Sequence, residues 1–501
     1  MTVESEAPSW PRVYSGSETR ALDRRAIDDC GIAGFVLMHR AGVAAFRHLR
    51  QRWPEARRVT VVCGAGNNAG DGYIVAGAAA DAGLGVQLVQ VGDPARIAGD
   101  ASKALEFARE RLADPELAAM ASASWQADGD VVVDALLGTG AKGEVRPAFQ
   151  RAIEQVKASG LPVLALDLPS GIDADSGAAL MPEPVRADLT VTFVAPKLGL
   201  VTGVGVDYVG EVRLETLDIP EEVHANAGGV PVLDGWTLRR LQRNASAHKG
   251  QFGRLLILGG DVGMGGAVIL AGGAALRAGA GLVTIGSAEA NRAPILARYP
   301  ELMARAVEAA DVADLMQQAD AVVVGPGLGQ SAWGTAICQA ALAAAREHPT
   351  PLLIDADALN CIARLELAVP PRSFLTPHPG EAGRLLGLSA GQVQAQRPDV
   401  ALRLSCLGGG CVAALKGAGT LIAEAGQLAG ICLGGNPRMA TPGSGDVLSG
   451  IGGALLAQGL ASVDAAKLAV WLHARAGDEA ALKTESALLA SDIIDSIRLT
   501  P

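Results

Sequence analysis

The sequence predicts an α/β protein with two domains, the first of which is built on a doubly wound parallel sheet. From residue 59 onward, short β-branched segments alternate with alanine-rich segments of helical spacing, which is typical of strand–helix–strand units. Residues 221–247 interrupt this alternation, and a second series of strands and helices follows them. A chain of 501 residues is also too long for one ordinary core. We therefore expect domains over residues 1–225 and 226–501.

Composition excludes several classes of protein. The formal net charge of −11, without a basic stripe, argues against nucleic-acid binding. The start "MTVESEAPSW" lacks the basic and apolar runs of a signal peptide, and the most apolar stretch, residues 265–286, contains Arg277 and many glycines. The seven cysteines form no CxxC pair, as is usual for reduced thiols. We expect a cytoplasmic homo-oligomer that binds neither nucleic acid nor membrane.

The first domain is expected to begin with an amphipathic helix over residues 18–53, followed by the alternating series. Its strands are predicted in "RVTVVCG", "GVQLVQVG", "DVVVDALLGTG", "PVLALDLPSGID" and "ADLTVTFVAP". Helices are predicted between them, for example in "IVAGAAADAG" and "AFQRAIEQVKASG". In sheets of this kind the ligand crevice lies at the carboxyl ends of the strands.

Amide and carboxylate side chains crowd the end of the first strand of this series. In "CGAGNNAGDG", Asn67, Asn68 and Asp71 stand among glycines. We predict that a helix begins near Asp71, and a helix amino terminus offers free N–H groups to an anion. The side-chain oxygens suit a hard cation or the hydroxyls of a ribose.

Two later strand ends supply matching groups. "DVVVDALLGTG" offers Asp134, and "LALDLPSGID" offers Asp167 and Ser170. In a parallel sheet these ends converge, so Asn68, Asp134 and Ser170 could hold a monovalent cation while Asp167 faces the substrate. Each residue taken singly could instead be a turn or helix-cap residue, and that alternative stays open.

The second domain is expected to end its strand series with a glycine-rich helix. Its strands are predicted in "GRLLILGG", "AGLVTIGS", "DAVVVGPGLG", "PLLIDADALN", "RSFLTPHPGE" and "CVAALKGAGTLIAE". In "TPGSGDVLSG", Gly443 and Gly445 would leave N–H groups free for phosphoryl oxygens at the start of a helix. Asp446 could then take a proton from a hydroxyl that attacks a terminal phosphate, and we expect the helix terminus to lower its pKa. A plain helix cap is the alternative reading.

Three further segments of the second domain contain candidate binding residues. Residues 416–420, "KGAGT", are predicted to join two strands and to cradle nucleotide phosphates without Walker A spacing. His378 precedes Glu381 by three residues in "TPHPGE". Asp355 and Asp357 follow a strand and could be helix caps or could support other ligands.

The motifs "CGAGNNAGDG", "DALLGTG" and "DLPSGID" resemble those of the NAD(P)HX epimerase family, the YjeF N-terminal domain, over residues 14–220. Ala69 stands where the family has glycine, and His39 where an acidic or amide residue is expected. The resemblance implies a Rossmann-like fold and potassium at Asn68, Asp134 and Ser170. It also implies that hydrated NADH or NADPH contacts Asn67, Asn68, Ala69, Gly70, Asp71, Gly138, Thr139, Gly140, Ala141, Lys142, Gly143, Glu144 and Asp167.

The motifs "VGPGLG", "DADALN", "TPHPGE", "KGAGT" and "GSGD" resemble the ADP-dependent NAD(P)H-hydrate dehydratase family, the YjeF C-terminal domain, over residues 235–498. This resemblance implies a ribokinase-like fold with Mg²⁺ and ADP, and ATP remains possible as the donor. The hydrate would contact Ala267, Gly327, His378 and Asp446. The nucleotide would contact Lys416, Gly417, Ala418, Gly419, Thr420 and Gly445.

Together the two resemblances imply a bifunctional repair enzyme for NADHX and NADPHX. Asp167 would move a proton at the ring hydroxyl so that the R and S forms interconvert. Asp446 would help to phosphorylate the hydroxyl of the S form with ADP as donor, which turns hydroxide into a better leaving group. Two alternatives remain open: a ribokinase-like small-molecule kinase fused to a non-catalytic dinucleotide-binding domain, and a dinucleotide sensor or scaffold without catalysis.

Overall fold

The computed structural model describes residues 10–112, 125–224, 227–234 and 246–499. The chain divides into two compact units, Met1–Val230 and Pro231–Pro501. Each unit has its own sheet of mainly parallel strands with helices packed against it, so the predicted α/β class is confirmed. No helix within these described ranges is both long enough and apolar enough to cross a lipid bilayer.

The first unit contains a six-stranded parallel sheet in the order β3-β2-β4-β5-β6-β7. Its helices and strands, up to the boundary, are β1 (Arg12–Val13), α1 (Gly16–Asp28), α2 (Gly34–Arg52), β2 (Arg58–Cys63), α3 (Asn67–Asp81), β3 (Gly85–Gln90), α4 (Asp100–Arg109), β4 (Val131–Ala135), α5 (Pro147–Ala158), β5 (Val163–Leu166), β6 (Leu189–Phe193), β7 (Glu211–Glu215), α6 (Glu221–His224) and β8 (Val230–Pro231).

Both faces of this sheet are covered, as expected for a doubly wound fold. Val61 packs with residues of α2, α3 and α4, whereas the next residue, Val62, packs with residues of α5 on the opposite face. The chain leaves β2 for β3 on one side and reaches β4 on the other. The carboxyl ends of β2 and β4 therefore form the topological switch point where such sheets bind ligands.

Helix α3 lies unusually close to the carboxyl ends of these two strands. A Cβ added at Gly72 would come within 2.5 Å of the Ala135 side chain and 2.8 Å of Cys63 Sγ. Only glycine permits this approach, which brings the first turn of α3 over the strand ends. The helix begins at Asn67, so the prediction of a start near Asp71 is wrong. Both asparagines consequently lie in the first helical turn.

The predicted single helix over residues 18–53 is also wrong, because two helices occupy this segment. Helix α1 ends at Asp28 and α2 begins at Gly34. Gly31, between them, has a φ of +68°, a left-handed conformation that cannot continue a helix. The apolar periodicity runs through both helices, which is why the sequence pattern did not show the break.

The second unit contains a nine-stranded sheet in the order β11-β10-β9-β12-β13-β14-β15-β16-β17. Its β15–β16 and β16–β17 pairs are antiparallel, and the other described pairs are parallel. Its elements are β9 (Arg254–Leu258), α7 (Gly265–Arg277), β10 (Leu282–Ser287), α8 (Arg292–Arg298), β11 (Met303–Ala306), α9 (Val312–Gln317), β12 (Ala321–Val324), α10 (Ala332–Glu347), β13 (Leu352–Ile354), α11 (Ala356–Leu365), β14 (Phe374–Leu375), α12 (Pro379–Leu386), α13 (Ala390–Ala395), α14 (Arg397–Ser405), β15 (Val412–Leu415), β16 (Thr420–Glu424), β17 (Gln427–Cys432), α15 (Ser444–Ala457), α16 (Ser462–Lys483) and α17 (Ala490–Ser496).

Helix α15 is almost entirely buried and packs directly against this sheet. It packs with α7, α16 and α17 on one face, while α9, α10 and α11 cover the other. A Cβ at Gly453 would come within 3.0 Å of Leu255 Cδ1 and closer still to Val323 Cγ2, so the helix rests directly on β9 and β12. The predicted glycine-rich helix after residue 443 is confirmed, and its amino terminus lies at the carboxyl edge of the sheet.

Candidate active sites

A cavity of about 940 Å³ opens at the switch point of the first unit. Its size lies within the range of small-molecule sites. Helices α1 and α2 contribute to its walls beside the loops that follow β2, β4 and β5. Eleven sequence-predicted residues line it: Asn67, Asn68, Asp71, Gly138, Thr139, Gly140, Ala141, Lys142, Gly143, Glu144 and Asp167. Ala69 and Gly70 are instead buried in the first turn of α3.

Beneath the cavity, Asn68, Asp134 and Ser170 lie together as the sequence predicted. Ser170 Oγ donates to Asp134 Oδ1 at 2.6 Å, and the Ser170 amide donates to Asp134 Oδ2 at 2.8 Å. Asn68 Nδ2 donates to the Leu137 carbonyl at 3.1 Å. Burial raises the pKa of Asp134 to about 6, although the Ser170 hydrogen bonds oppose that rise.

One oxygen of this group lacks a partner. Asn68 Oδ1 is buried and has no hydrogen bond from any described residue. An unpaired buried carbonyl oxygen is costly unless something outside the chain binds it. Together with the carboxylate and hydroxyl oxygens of Asp134 and Ser170, it forms an all-oxygen donor set of the kind that binds hard cations.

Asp167 occupies the cavity in a constrained position. Its φ of +68° is rare for a residue with a side chain and turns the chain sharply after β5. Its carboxylate forms an ion pair with the ammonium of Lys197, which is only 1% exposed. Lys197 also donates to Thr192 Oγ1 at 2.9 Å and to the Phe193 carbonyl at 2.7 Å. These hydrogen bonds hold the Lys197 ammonium against the carboxylate of Asp167.

Two more carboxyl groups surround this ion pair. Burial, followed by the charges of Asp167 and Asp23, raises the pKa of Asp71 well above its usual range. Burial also raises the pKa of Asp23 to about 6, while the nearby Lys197 opposes the rise. The cavity therefore contains carboxyl groups of raised pKa beside a buried ammonium, an arrangement suited to proton transfer.

Roles for Lys197 and Asp23 were not predicted from the sequence. Lys197 belongs to "VAPKLGL", where a lysine directly follows a predicted buried strand, and that position was the available signal. Asp23 lies on α1 among other charged residues, and nothing in its spacing distinguishes it from a solvent-facing side chain. His39, whose role the sequence left open, packs between the rings of Phe35 and Phe107 on α2 and α4.

Ion pairs and a hydrogen bond hold the loop at 138–144 in place. Lys142 Nζ lies 2.9 Å from Asp173 Oδ2 and 2.6 Å from Asp175 Oδ2. On the opposite side, Arg20 of α1 donates to the Thr139 carbonyl at 3.1 Å. These contacts hold the loop as one wall of the cavity.

In the second unit, Asp446 lies in the first turn of α15, after Gly443 at the helix cap. Burial raises its pKa to about 7, and the neighbouring carboxylate of Asp355 adds to the rise, whereas Lys416 opposes it. The expectation that the helix amino terminus lowers this pKa is therefore wrong. Loss of hydration and nearby negative charge outweigh the helix dipole here.

Lys416 is the centre of a charged cluster beside Asp446. Its Nζ lies 3.0 Å from Asp355 Oδ1 and 3.9 Å from Glu381 Oε2. Burial alone would lower its pKa, but the two carboxylates raise it above the usual value. Ser449 of α15 donates to Asp355 Oδ2 at 2.5 Å. Asp355 thus connects the loop after β15 to the helix that carries Asp446.

The predicted strand–loop–strand around residues 416–420 is confirmed, with β15 ending at Leu415 and β16 starting at Thr420. A Cβ at Gly445 would lie 3.4 Å from Lys416 Nζ, so the loop and the start of α15 are adjacent. Ala267 and Gly327 are also neighbours, because a Cβ at Gly327 would lie 2.9 Å from that of Ala267.

His378 and Glu381 form the cap of α12. His378 Nδ1 accepts from the Gly380 amide at 3.0 Å, and Glu381 Oε2 accepts from the His378 amide at 2.8 Å. The imidazole remains half exposed beyond this cap. Asp357 Oδ2 accepts from the Gly329 amide at 2.9 Å, whereas Asp355 makes no side-chain cap.

His473 is a further residue at this site that was not predicted from the sequence. Its Nε2 lies 3.2 Å from Ser444 Oγ at the start of α15. Burial and the charge of Lys416 lower its pKa to about 4, so it is neutral at physiological pH. It lies in the middle of α16, where a histidine gives no signal in a single sequence.

Comparisons with known proteins match both units. The family model described as YjeF-related protein N-terminus matches residues 34–199, and the model described as NAD(P)H-hydrate dehydratase matches residues 255–499. The chain is 42% identical over 492 residues to the bifunctional NAD(P)H-hydrate repair enzyme Nnr of Coxiella burnetii, covering 97% of this chain and 99% of that protein.

Two other proteins are similar over most of their length. The bifunctional NAD(P)H-hydrate repair enzyme Nnr of Escherichia coli is 39% identical over 522 residues, with 99% of this chain and 95% of that protein covered. The solved structure of ADP/ATP-dependent NAD(P)H-hydrate dehydratase from Bacillus subtilis, co-crystallised with ATP/Mg²⁺, is 31% identical. It covers 54% of this chain and 96% of that chain, with a TM-score of 0.47.

Proposed function

The chain belongs to the family of bifunctional NAD(P)H-hydrate repair enzymes, and we propose how its two sites divide that repair. The enzyme epimerises the R and S forms of NAD(P)HX and dehydrates the S form to NAD(P)H. We assign the epimerase to residues 1–225 and the dehydratase to residues 226–501. The second unit has the ribokinase-like α/β fold of that family.

Epimerisation requires the hydroxyl on C6 of the hydrated ring to leave and to return on the other face. The ring nitrogen can stabilise the resulting cation, but the departing oxygen must gain a proton and the returning water must lose one. We assign this proton transfer to Asp167, paired with Lys197 in the cavity. Asp71, whose pKa is raised by burial, lies in the same cavity and can exchange protons with this pair.

The substrate would lie along the glycine loop and the first turn of α3. Gly138, Gly140 and the other residues of the 138–144 loop offer backbone groups to the pyrophosphate and ribose. Asn67 and Asn68 line the same wall. The residues that would hold potassium are Asn68, Asp134 and Ser170, and the unpaired Asn68 Oδ1 is the observation that supports this. When bound, the ion supplies a fixed positive charge beside the anionic substrate.

Dehydration needs a better leaving group than hydroxide at C6. We propose that a nucleotide transfers its terminal phosphoryl group to the hydroxyl oxygen while Asp446 accepts the hydroxyl proton. Phosphate then leaves with the electrons of its C6–O bond, the ring nitrogen donates its lone pair, and C5 loses a proton. A pKa of about 7 suits Asp446 as a general base at neutral pH.

Nucleotide use follows from the dehydratase family, and we propose ADP as the donor. The loop of Lys416, Gly417, Ala418, Gly419 and Thr420, together with Gly445, would contact its phosphates. The described residues contain no group of three or more His, Cys, Asp or Glu side chains that could hold a metal. Mg²⁺ would be bound mainly through the nucleotide phosphates, as is usual where a protein holds a nucleotide.

The adjacency of Asp446, Lys416 and Gly445 supports the dehydratase assignment. The Asp446→Ala variant should lose dehydration of the S hydrate and still bind ADP, because the loop at 416–420 is unchanged. Calorimetric titration with ADP and the return of dihydronicotinamide absorbance measure the two properties. Dehydration by this variant at the wild-type rate would contradict the assignment. Accumulation of a stable phosphorylated product in the wild type would favour a kinase.

We further propose that the enzyme is a cytoplasmic homo-oligomer. Val36 and Val43 of α2 are each 41% exposed and lie seven residues apart, on the same side of the helix. An apolar helix face of this kind is a candidate contact between copies. Light scattering of the purified chain would give the number of copies, and a monomer mass would contradict the proposal.

A further inference from the structure

Arg397, the first residue of α14, is a fully buried arginine beneath the loop at 416–420. Its guanidinium joins the two ends of this loop. Nη1 donates to the Lys416 carbonyl at 3.2 Å, and Nη2 donates to the Leu415 and Gly419 carbonyls at 3.3 and 3.1 Å. Nη1 also donates to Gln394 Oε1 at 3.2 Å, which fixes the plane of the group.

This position is unfavourable for an arginine on general grounds. A buried cation loses its hydration, and a cation at a helix amino terminus opposes the helix dipole. Burial lowers the pKa of Arg397 to about 10, so the side chain still carries its charge at neutral pH. The carbonyl oxygens of the loop compensate this cost through charge-assisted hydrogen bonds. The loop conformation and the buried charge therefore depend on each other.

The loop is shaped closely around the guanidinium. Gly417 has a φ of +132°, and a Cβ at this position would lie 2.8 Å from Arg397 Nη1. The carbonyl of Lys416 is held by Arg397, while its ammonium reaches Asp355 on the side of α15. Residue 416 is thus fixed at both its backbone and its side chain.

We propose that Arg397 is a positioning residue that holds the 416–420 loop in the conformation that binds the nucleotide phosphates. This proposal rests on the proposed function of that loop as the nucleotide site. Carbonyl oxygens carry partial negative charge and would repel phosphate if they faced it. By binding three of them on the buried side, Arg397 keeps that charge away from the nucleotide. The guanidinium acts through the loop without contacting the nucleotide itself.

The test compares Arg397→Met and Arg397→Lys with the wild-type enzyme. Methionine fills much of the same space without charge, so the KM for ADP should rise on the order of 10- to 100-fold, as expected for the loss of charge-assisted hydrogen bonds. The kcat at saturating ADP and the KM for the hydrate should stay within about threefold, since Asp446 is untouched. Lysine should give an intermediate KM for ADP, because a single ammonium cannot span both ends of the loop.

Two controls accompany these variants. Arg403 lies on the same helix, 42% exposed and 3.8 Å from Asp399, and Arg403→Met should leave the KM for ADP unchanged. The kcat at saturating ADP and the KM for the hydrate, which belong to the same unit as Arg397, report whether that unit is intact. A KM for ADP within twofold of wild type in folded Arg397→Met would overturn the proposal. Loss of folding in both Arg397 variants would assign the residue to folding alone and overturn it equally.

Lys416→Met separates this proposal from the function on which it rests. If Lys416→Met leaves ADP binding unchanged, the loop is not the nucleotide site and the proposed function of the loop fails. If Lys416→Met weakens ADP binding but folded Arg397→Met does not, only the positioning role of Arg397 fails. Weakened ADP binding in both variants, with the urea unfolding transition of the second unit retained, is the expected result.

Discussion

At the scale of single residues, both sites contain carboxyl groups that hold protons more tightly than they would in water. Asp71 and Asp23 do so in the first unit and Asp446 in the second. Burial is the first cause in each case, and nearby carboxylates add to it. Proton transfer is most effective when the pKa of the group lies near the working pH. Both sites thus contain carboxyl groups whose pKa is raised by the same cause.

The pKa of Asp446 leads to a prediction about pH. Because the ionised form is the base, kcat/KM of the dehydratase should fall as the pH drops below about 7 and should level off above it. The Asp357→Asn variant removes a negative charge that contributes to the raised pKa, so its acid limb should shift to lower pH. Initial rates from pH 5.5 to about 9 measure both profiles. A flat wild-type profile would contradict the assignment of Asp446 as the base.

Lys197 gives the corresponding prediction for the epimerase. The Lys197→Met variant leaves Asp167 without its ion-pair partner, and interconversion of the R and S hydrates should slow by roughly 10²- to 10⁴-fold, as for other losses of a proton-transfer group. Chromatography of the two epimers over time measures the rate. Dehydration of the pure S form by the same variant is the control and should be unchanged. Fast interconversion with normal dehydration would exclude Lys197 from the reaction.

At the scale of elements, two helices with glycine faces place the functional groups. Helix α3 approaches β2 and β4 through Gly72, and α15 approaches β9 and β12 through Gly453. In both cases the contact lets the first turn of the helix reach the carboxyl edge of the sheet. Asn67, Asn68 and Asp71 depend on the first contact, and Asp446 depends on the second.

This packing predicts opposite outcomes for two glycine substitutions in the second unit. Gly453→Ala puts a methyl group against Leu255 and Val323, so the free energy of unfolding should fall by about 1–3 kcal/mol. Gly266→Ala in α7 meets nothing within 4 Å and should leave stability unchanged or raise it by up to about 1 kcal/mol. Urea unfolding measures both. Equal stability of the two variants would contradict the close packing of α15.

The sequence predicted the presence of helices and strands better than it predicted their first and last residues. The parallel strands, the glycine-rich helix α15 and the loop at 416–420 were legible, because β-branched runs and glycine clusters are local signals. The break at Gly31 was not visible, because the apolar periodicity continues across it. The start of α3 at Asn67 was not visible either, because the glycines around it are not typical of a helix. Lys197 and Arg397 were missed because burial of a charge is decided by contacts distant in sequence.

At the scale of the whole molecule, the chain carries two sites with separate sets of functional residues. Among the residues that the structure describes, those lining the cavity of the first unit end at Leu217, and those paired with Lys416 lie beyond residue 354. The two reactions should therefore be separable by mutation. A mixture of Asp167→Asn and Asp446→Ala chains should repair both epimers, because the S form released by one chain can diffuse to the other.

The most direct test follows the recovery of dihydronicotinamide absorbance from a mixture of R and S hydrates with ADP, Mg²⁺ and potassium. The wild-type enzyme should restore all of the cofactor. The Asp167→Asn variant should rapidly restore only the share present as the S form, whereas Asp446→Ala should restore none and yet interconvert the epimers. Complete recovery by Asp167→Asn at the wild-type rate, or any rapid recovery by Asp446→Ala, would contradict the assignment of one carboxyl group to each reaction.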